Sequence, residues 1–125
     1  MLHADITKKI IECFYKVYNT LGYGYLEKVY ENALAIELEN AGFQLTQQQP
    51  ITVYYKGQPV GEYFADILVE DKVILELKTA EKLIKEHKAQ LFNYLKATDK
   101  EVGLVLNFGR EPEFQRAIFT NDRKK

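Results

Sequence analysis

"VILELKTAE", residues 73–81, is the stretch on which the reading of the fold turns. Val73, Ile74, Leu75 and Leu77 have the character of a buried strand, yet Glu76 and Lys78 sit inside it. Side chains at i and i+2 of a strand leave from one face, and a buried charge without a partner is costly. A strand this apolar therefore needs a reason to aim a carboxylate and an ammonium the same way.

The preceding residues supply a candidate reason. "EYFADILV", 62–69, is a second strand-like run, and Glu70-Asp71-Lys72 reads as the turn between the two. If Val69 opposes Val73 across that turn, the same register sets Asp66 opposite Glu76. Directly opposed residues share a face at roughly 4.5–5.5 Å. Asp66, Glu76 and Lys78 then converge on one side of a sheet. Two carboxylates this close repel unless a proton or cation lies between them. A hard divalent ion, Mg²⁺ or Mn²⁺, answers that need, with Lys78 as an adjacent positive donor. The ordinary alternative is a solvated sheet face carrying a Glu76–Lys78 or Asp66–Lys78 ion pair of small worth. A turn of two residues instead of three would also send Asp66 to the other face.

Further from this hairpin, hydrophobic periodicity organises the rest. Ile6, Ile10, Phe14, Val17 and Leu21 recur at helical spacing, predicting a helix over about 4–20. "LGYG", 21–24, breaks it. A second helix is expected from about Tyr25 to Ala41, with Leu26, Val29, Tyr30, Ala33 and Leu38 on its apolar face and Gly42 as its stop. "ITVYY", 51–55, is a strand, and Lys56-Gly57 turns into the next, near 60–69. A third helix is expected from about Glu81 to Ala97, then a buried strand "VGLVLNF", 102–108, and a short last strand within "FQRAIF", 114–119. The order α-α-β-β-β-α-β(-β) implies an α/β or α+β sandwich around a mixed central sheet flanked by helices. No repeat, linker or low-complexity tract divides residues 1–125, which read as a single domain.

Two helical stripes add polar groups to the picture. In "HKAQLFNYL", His87, Gln90 and Tyr94 fall at i, i+3 and i+7 on a helix whose Ile84, Leu91 and Leu95 are expected in the core. In "GYLEKVY", Glu27 and Tyr30 stand at i, i+3 just after the glycine-rich break. Either stripe taken alone is equally a solvated face.

Composition bounds the function class. Lys and Arg total 17 against 18 for Asp and Glu, a net charge of −1, so no global charge draws the chain to nucleic acid. That argues against a non-specific DNA coat and leaves a local groove open. The lone Cys13 excludes a disulfide framework and a cysteine-based zinc site. With no leader-like start and no long apolar run, the expectation is a soluble cytoplasmic protein without a membrane role.

Taken together, these residues resemble the PD-(D/E)xK nuclease superfamily, specifically the small GxxExxY proteins, from about residue 4 to 119. The naming motif is Gly24-Tyr25-Leu26-Glu27-Lys28-Val29-Tyr30; the nuclease motif is Asp66, a gap, then Glu76-Leu77-Lys78. Gln90 to Tyr94 is similar to the QxxxY helix of the RecB-like and lambda-exonuclease-like branches, and "LVLNFG", 104–109, to the strand that follows it. Ala65 stands where the superfamily's name has proline, a position without chemistry. The resemblance implies a restriction-endonuclease-like core and a metal-dependent phosphodiester hydrolase acting on nucleic acid, DNA before RNA. It implies that Asp66, Glu76 and the Leu77 carbonyl hold Mg²⁺, with Mn²⁺ as substitute, and that Glu27 supports that metal directly or through water. It further implies that Lys78 orients the attacking water, Gln90 bonds near Lys78 or the phosphate, and Tyr94 packs beside it. A homodimer is compatible with such small nucleases. A silent nucleic-acid-binding accessory subunit and a metal-stabilised structural domain are the competing readings.

Lys8, Lys9, Lys82, Lys85, Lys88 and the tail "NDRKK" are candidates for a phosphate-tracking groove, although exposed lysines mostly solubilise. Tyr23, Tyr25, Tyr54 and Tyr55 are candidates for stacking on unpaired bases, with core and sheet packing the expected use of most of them.

Overall fold

The computed structural model describes residues 1–124. Its elements are α1 (Ala4–Leu21), α2 (Glu27–Asn40), β1 (Leu45–Tyr55), β2 (Gln58–Val69), β3 (Val73–Lys78), α3 (Lys85–Lys96), β4 (Val102–Phe108) and β5 (Pro112–Ile118), followed by a short 3-10 turn at Asn121–Arg123. The strands form one sheet in the order β1-β2-β3-β4-β5. Neighbours are antiparallel except β3 and β4, which run parallel and are joined through α3. This is the expected mixed sheet within an α+β architecture.

Three layers result. On one face, Ile10, Phe14 and Val17 of α1 and Tyr30, Leu34 and Leu38 of α2 pack with Val73, Leu75 and Leu77 of β3 and Val102, Leu104 and Leu106 of β4. On the other, Leu91, Tyr94 and Leu95 of α3 pack with Ile74 and Val105. β3 is apolar on both faces because both are covered by helices, the pattern of a central parallel strand. Among the described residues no helix is long and apolar enough to cross a membrane.

Several boundaries differ from expectation, each for a local reason. The buried stripe of α2 is Tyr30, Leu34 and Leu38, whereas Leu26 and Val29 are exposed. Leu26 precedes the helix as its N-cap, and Val29 is rotated off the buried stripe by one residue. β1 begins at Leu45, well before "ITVYY"; Pro50 is tolerated because β1 is an edge strand and its missing N–H costs no ladder bond. α3 begins at Lys85, not Glu81, because the chain after β3 is tied elsewhere. Ala80 donates its N–H to Asn107 Oδ1 and accepts from Asn107 Nδ2, each at 2.9 Å, and Leu83 N–H donates to Glu113. Ile84, expected in the core, is instead the exposed N-cap of α3, and its N–H donates to His87 Nδ1 at 3.2 Å. His87 thus caps a helix rather than extending a polar stripe.

Candidate active site

The turn at 70–72 is built as the spacing demands. Glu70 and Asp71 both adopt φ of 55°, and Lys72 N–H donates to Val69 C=O at 2.9 Å. β2 and β3 then pair at Val69–Val73, Leu68–Ile74 and Ile67–Leu75, the register that sets Asp66 against Glu76. There the ladder stops and the carboxylates replace it. Asp66 N–H donates to Glu76 Oε2 at 2.9 Å, and Leu77 N–H donates to Asp66 Oδ2 at 2.7 Å. The strands fork at this point, each carboxylate locking the backbone of the other's strand.

The fork coincides with a change of face in the β1–β2 hairpin. Leu45, Ile67 and Val69 pack on the α1–α2 side, but Ile51 and Ala65, of the same parity, belong to the α3 side. Gln48, which would face Asp66 in the β1–β2 ladder, leaves it with φ of 55°. The twist brings Asp66 within reach of both helical layers.

Electrostatics mark the same spot. Burial first, then repulsion from Asp66, pushes the Glu76 carboxyl from 4.5 up to about 8. Burial also raises Asp66, against the opposing hydrogen bond from Leu77. Glu27, exposed in the first turn of α2, has its carboxyl raised by desolvation and then by the charge of Asp66. Across the fork, Lys78 Nζ donates to Gln90 Oε1 at 2.9 Å, and Gln90 Nε2 donates to Tyr94 Oη at 3.2 Å. Tyr94 is buried against Tyr63 with ring centres 5.6 Å apart, and burial followed by Glu76 pushes its hydroxyl up to about 12. Glu27, Asp66, Glu76, Lys78, Gln90 and Tyr94 therefore come together at the carboxyl end of β3, between α2 and α3.

Sequence reasoning missed Glu31. It lies one helical turn beyond Glu27 and is only 3% exposed. Its carboxyl accepts from Gln47 Nε2 and Gln48 Nε2, each at 2.8 Å, and from Lys28 Nζ at 3.0 Å. Gln48 Nε2 also lies 3.4 Å from Asp66 Oδ1, so Glu31 fixes the amide beside the free oxygen of Asp66. The Glu27–Glu31 spacing was the available signal; the partners on β1 were not. Asn107, fully buried at the end of β4, was likewise missed.

The residues of "GxxExxY" have visible structural work. Gly22 and Gly24 take positive φ, 68° and 111°, in the break before α2. Tyr30 Oη donates to Gly22 C=O at 2.7 Å and accepts from Tyr25 N–H at 3.2 Å, while its ring stacks on Phe108 at 4.5 Å. The break is thereby clasped onto the end of β4.

The basic candidates disperse. Lys9 pairs with Glu12, Lys88 lies over Phe92, and Lys124 donates to the carbonyls of Thr98 and Lys100, away from the fork. Lys125 lies outside the described residues. None of the four tyrosines is in the core: Tyr23, Tyr25, Tyr54 and Tyr55 are all exposed, Tyr54 and Tyr55 at the end of β1 and Tyr25 edge-on to Tyr30.

Comparison with known proteins agrees with this geometry. Among solved structures, the one described as the crystal structure of SSO0001 aligns with a TM-score of 0.58 and 17% identity, over 94% of this chain. This chain spans 60% of that one's length, and at such identity the likeness is one of fold. No curated protein matches. The family model for the PD-(D/E)XK nuclease superfamily matches residues 4–117, nearly every element described above. That match covers most of the sequence, and the chain belongs to the PD-(D/E)XK nuclease superfamily.

Proposed function

We propose that this chain is a metal-dependent nuclease of the GxxExxY kind that hydrolyses phosphodiester bonds in DNA. The observation that carries the reading is the interlocked Asp66–Glu76 pair facing a lysine that is itself held by Gln90.

The donor set fits a hard divalent cation. Two carboxylates held together against their own repulsion gain from a cation that neutralises both. Among the described residues no three His, Cys, Asp or Glu side chains form a metal cage. Mg²⁺ keeps several waters and takes few protein ligands. Asp66, Glu76 and the Leu77 carbonyl would hold Mg²⁺ or Mn²⁺, with Glu27 contributing through water from the rim. When bound, such a cation polarises the phosphoryl oxygen and lowers the pKa of its water.

The chain's own groups do the rest. Lys78 orients the attacking water and stabilises charge developing on the phosphate. Gln90, accepting from Lys78, fixes the ammonium in place so that it need not reorganise during reaction. Tyr94 stays protonated at neutral pH and anchors Gln90; it is a positioning residue.

The test is cleavage of single-stranded, duplex and branched DNA, and of RNA, with Mn²⁺ or Mg²⁺. Wild type should cut DNA, and Glu76→Ala and Lys78→Ala should not. Intact binding without cutting by wild type, on any substrate, would replace this reading with a silent accessory subunit.

A further inference from the structure

A cleft of about 450 Å³ opens beside the fork, between the clasped break before α2 and the ends of β3 and β4. Its walls include Tyr23, Gly24 and Tyr25 on one side and Thr79, Glu81 and Arg110 on the other. Two of its lining residues border candidate-site residues in sequence. Thr79 follows Lys78 directly, and Tyr25 stands two residues before Glu27.

Three features define what the cleft can hold. Tyr23 and Tyr25 are 56% and 52% exposed, so large aromatic surface faces solvent at its mouth. Arg110, from the opposite wall, lies 5.8 Å from the Tyr23 ring centre and places a cation over it. Glu81 contributes a carboxylate, which repels a phosphate but accepts from the amino or imino groups of a base edge. Aromatic faces, a cation and a hydrogen-bonding rim are the elements of a base-stacking platform.

Both walls are preset. Tyr30 Oη bridges Gly22 and Tyr25, and Tyr18 Oη donates to Gly109 C=O at 2.8 Å and to the next carbonyl on the opposite side. A rigid seat loses little conformational freedom when it is filled. Gly109 permits the close approach of the segments after β3 and β4 within one wall, since a Cβ there would clash with Ala80 O.

We propose that this cleft seats one unpaired nucleobase adjoining the scissile phosphate, so that the substrate is single-stranded on at least one side of the cut. The proposal rests on the nuclease reading given above and adds the substrate class. Tyr23 and Tyr25 supply the stacking faces, Arg110 the neighbouring positive charge and Glu81 the hydrogen-bond acceptor for the base edge. A fully paired blunt duplex keeps its bases stacked on one another and cannot fill the seat.

The experiment uses a DNA duplex with a short overhang carrying 2-aminopurine, compared with the same sequence as a blunt duplex. Binding is read with the Glu76→Gln protein in EDTA, and cleavage with wild type in Mn²⁺. The expected results are quenching of 2-aminopurine on binding and faster cutting of the overhang substrate. Adding Tyr23→Ala and Tyr25→Ala should abolish the quench and weaken overhang binding by roughly tenfold or more, the effect of losing about 1–3 kcal/mol of stacking. Tyr25→Phe, which keeps the ring, should retain the quench; thermal melting identifies any variant that has failed to fold. No quench with the parent protein, or a quench that survives removal of both tyrosines, would overturn the proposal. Cleavage indifferent to the tyrosines leaves the nuclease reading standing and removes the base seat. Tyrosine-dependent quenching without cleavage in any metal does the reverse.

Discussion

Replacing Glu76 by glutamine keeps the shape of the fork and removes its most costly charge. The glutamine oxygen still accepts from Asp66 N–H, the bond that Glu76 Oε2 makes at 2.9 Å. In the folded wild type, burial and then Asp66 raise the Glu76 carboxyl to about 8, from 4.5 in the unfolded chain. A carboxyl raised in this way contributes stability in full below its unfolded value and loses it as pH climbs through its folded value. Metal-free wild type should therefore lose stability between about pH 4.5 and 8. Each pH unit in that window is worth about 1.4 kcal/mol, so the ceiling is roughly 5 kcal/mol. Asp66 interacts with Glu76, and the titration steps belong to the pair.

Glu76→Gln should flatten this dependence, and the difference between the two proteins isolates the pair from every other titrating group. Urea denaturation in EDTA from pH 5 to 8.5 measures it, with the variant gaining about 2–4 kcal/mol over wild type at the alkaline end. Metal supplies the converse arm. Mn²⁺ at a hundred times its dissociation constant stabilises a binding protein by about 2.7 kcal/mol. The wild-type gain should grow with pH, because the ligands must be ionised, and the variant should show almost none. A variant whose stability falls with pH as steeply as wild type, or that gains equally from Mn²⁺, would refute the reasoning.

Lys78→Met should lower cleavage by about 10²-fold or more while leaving the Mn²⁺ stabilisation in place, as a melting curve with and without metal would record. Glu31→Ala should cost about 1–3 kcal/mol by stranding the amides of Gln47 and Gln48. It should also weaken Mn²⁺ binding by roughly tenfold, since the amide beside Asp66 is no longer oriented; unchanged Mn²⁺ affinity would mean that Glu31 serves the fold alone. Asn107→Ala should cost about 2–3 kcal/mol in urea, because both polar groups of the Ala80 backbone lose their partner in a buried setting.

What could be read from the sequence was what depends on near neighbours. The length of the 70–72 turn fixed the hairpin register, pairing Val69 with Val73. The bonding of the Glu76 carboxylate to Asp66 N–H and of the Asp66 carboxylate to Leu77 N–H was not legible, because nothing local says that the ladder ends at Ile67–Leu75. The start of α3 was misplaced for a similar reason: Glu81 to Ile84 have ordinary helical composition, and what withholds them is Asn107, 27 residues beyond Ala80. Glu31 is a helical glutamate that composition assigns to solvent; only the arrival of β1 buries it. The "LTQQQP" start of β1 carried no strand signal because Gln47 and Gln48 serve that carboxyl instead of a hydrophobic layer.

These long-range contacts explain why separate motifs act as one device. Glu27 must face Asp66 from a helix whose first turn is otherwise free to swing. Tyr30 prevents this by clasping Gly22 and Tyr25 and stacking on Phe108 at the end of β4. Phe108 neighbours Asn107, which holds Ala80, two residues beyond Lys78. Tyr30 and β4 thereby connect the glycine break to the strand that carries Glu76 and Lys78. The Lys78–Asn107 pairing of the parallel β3–β4 ladder closes the circuit. The catalytic candidates occupy the carboxyl end of that parallel pair, where backbone groups run out and side chains must complete the bonding. At the fork they complete it with carboxylates, which is why an apolar strand carries Glu76 within its core.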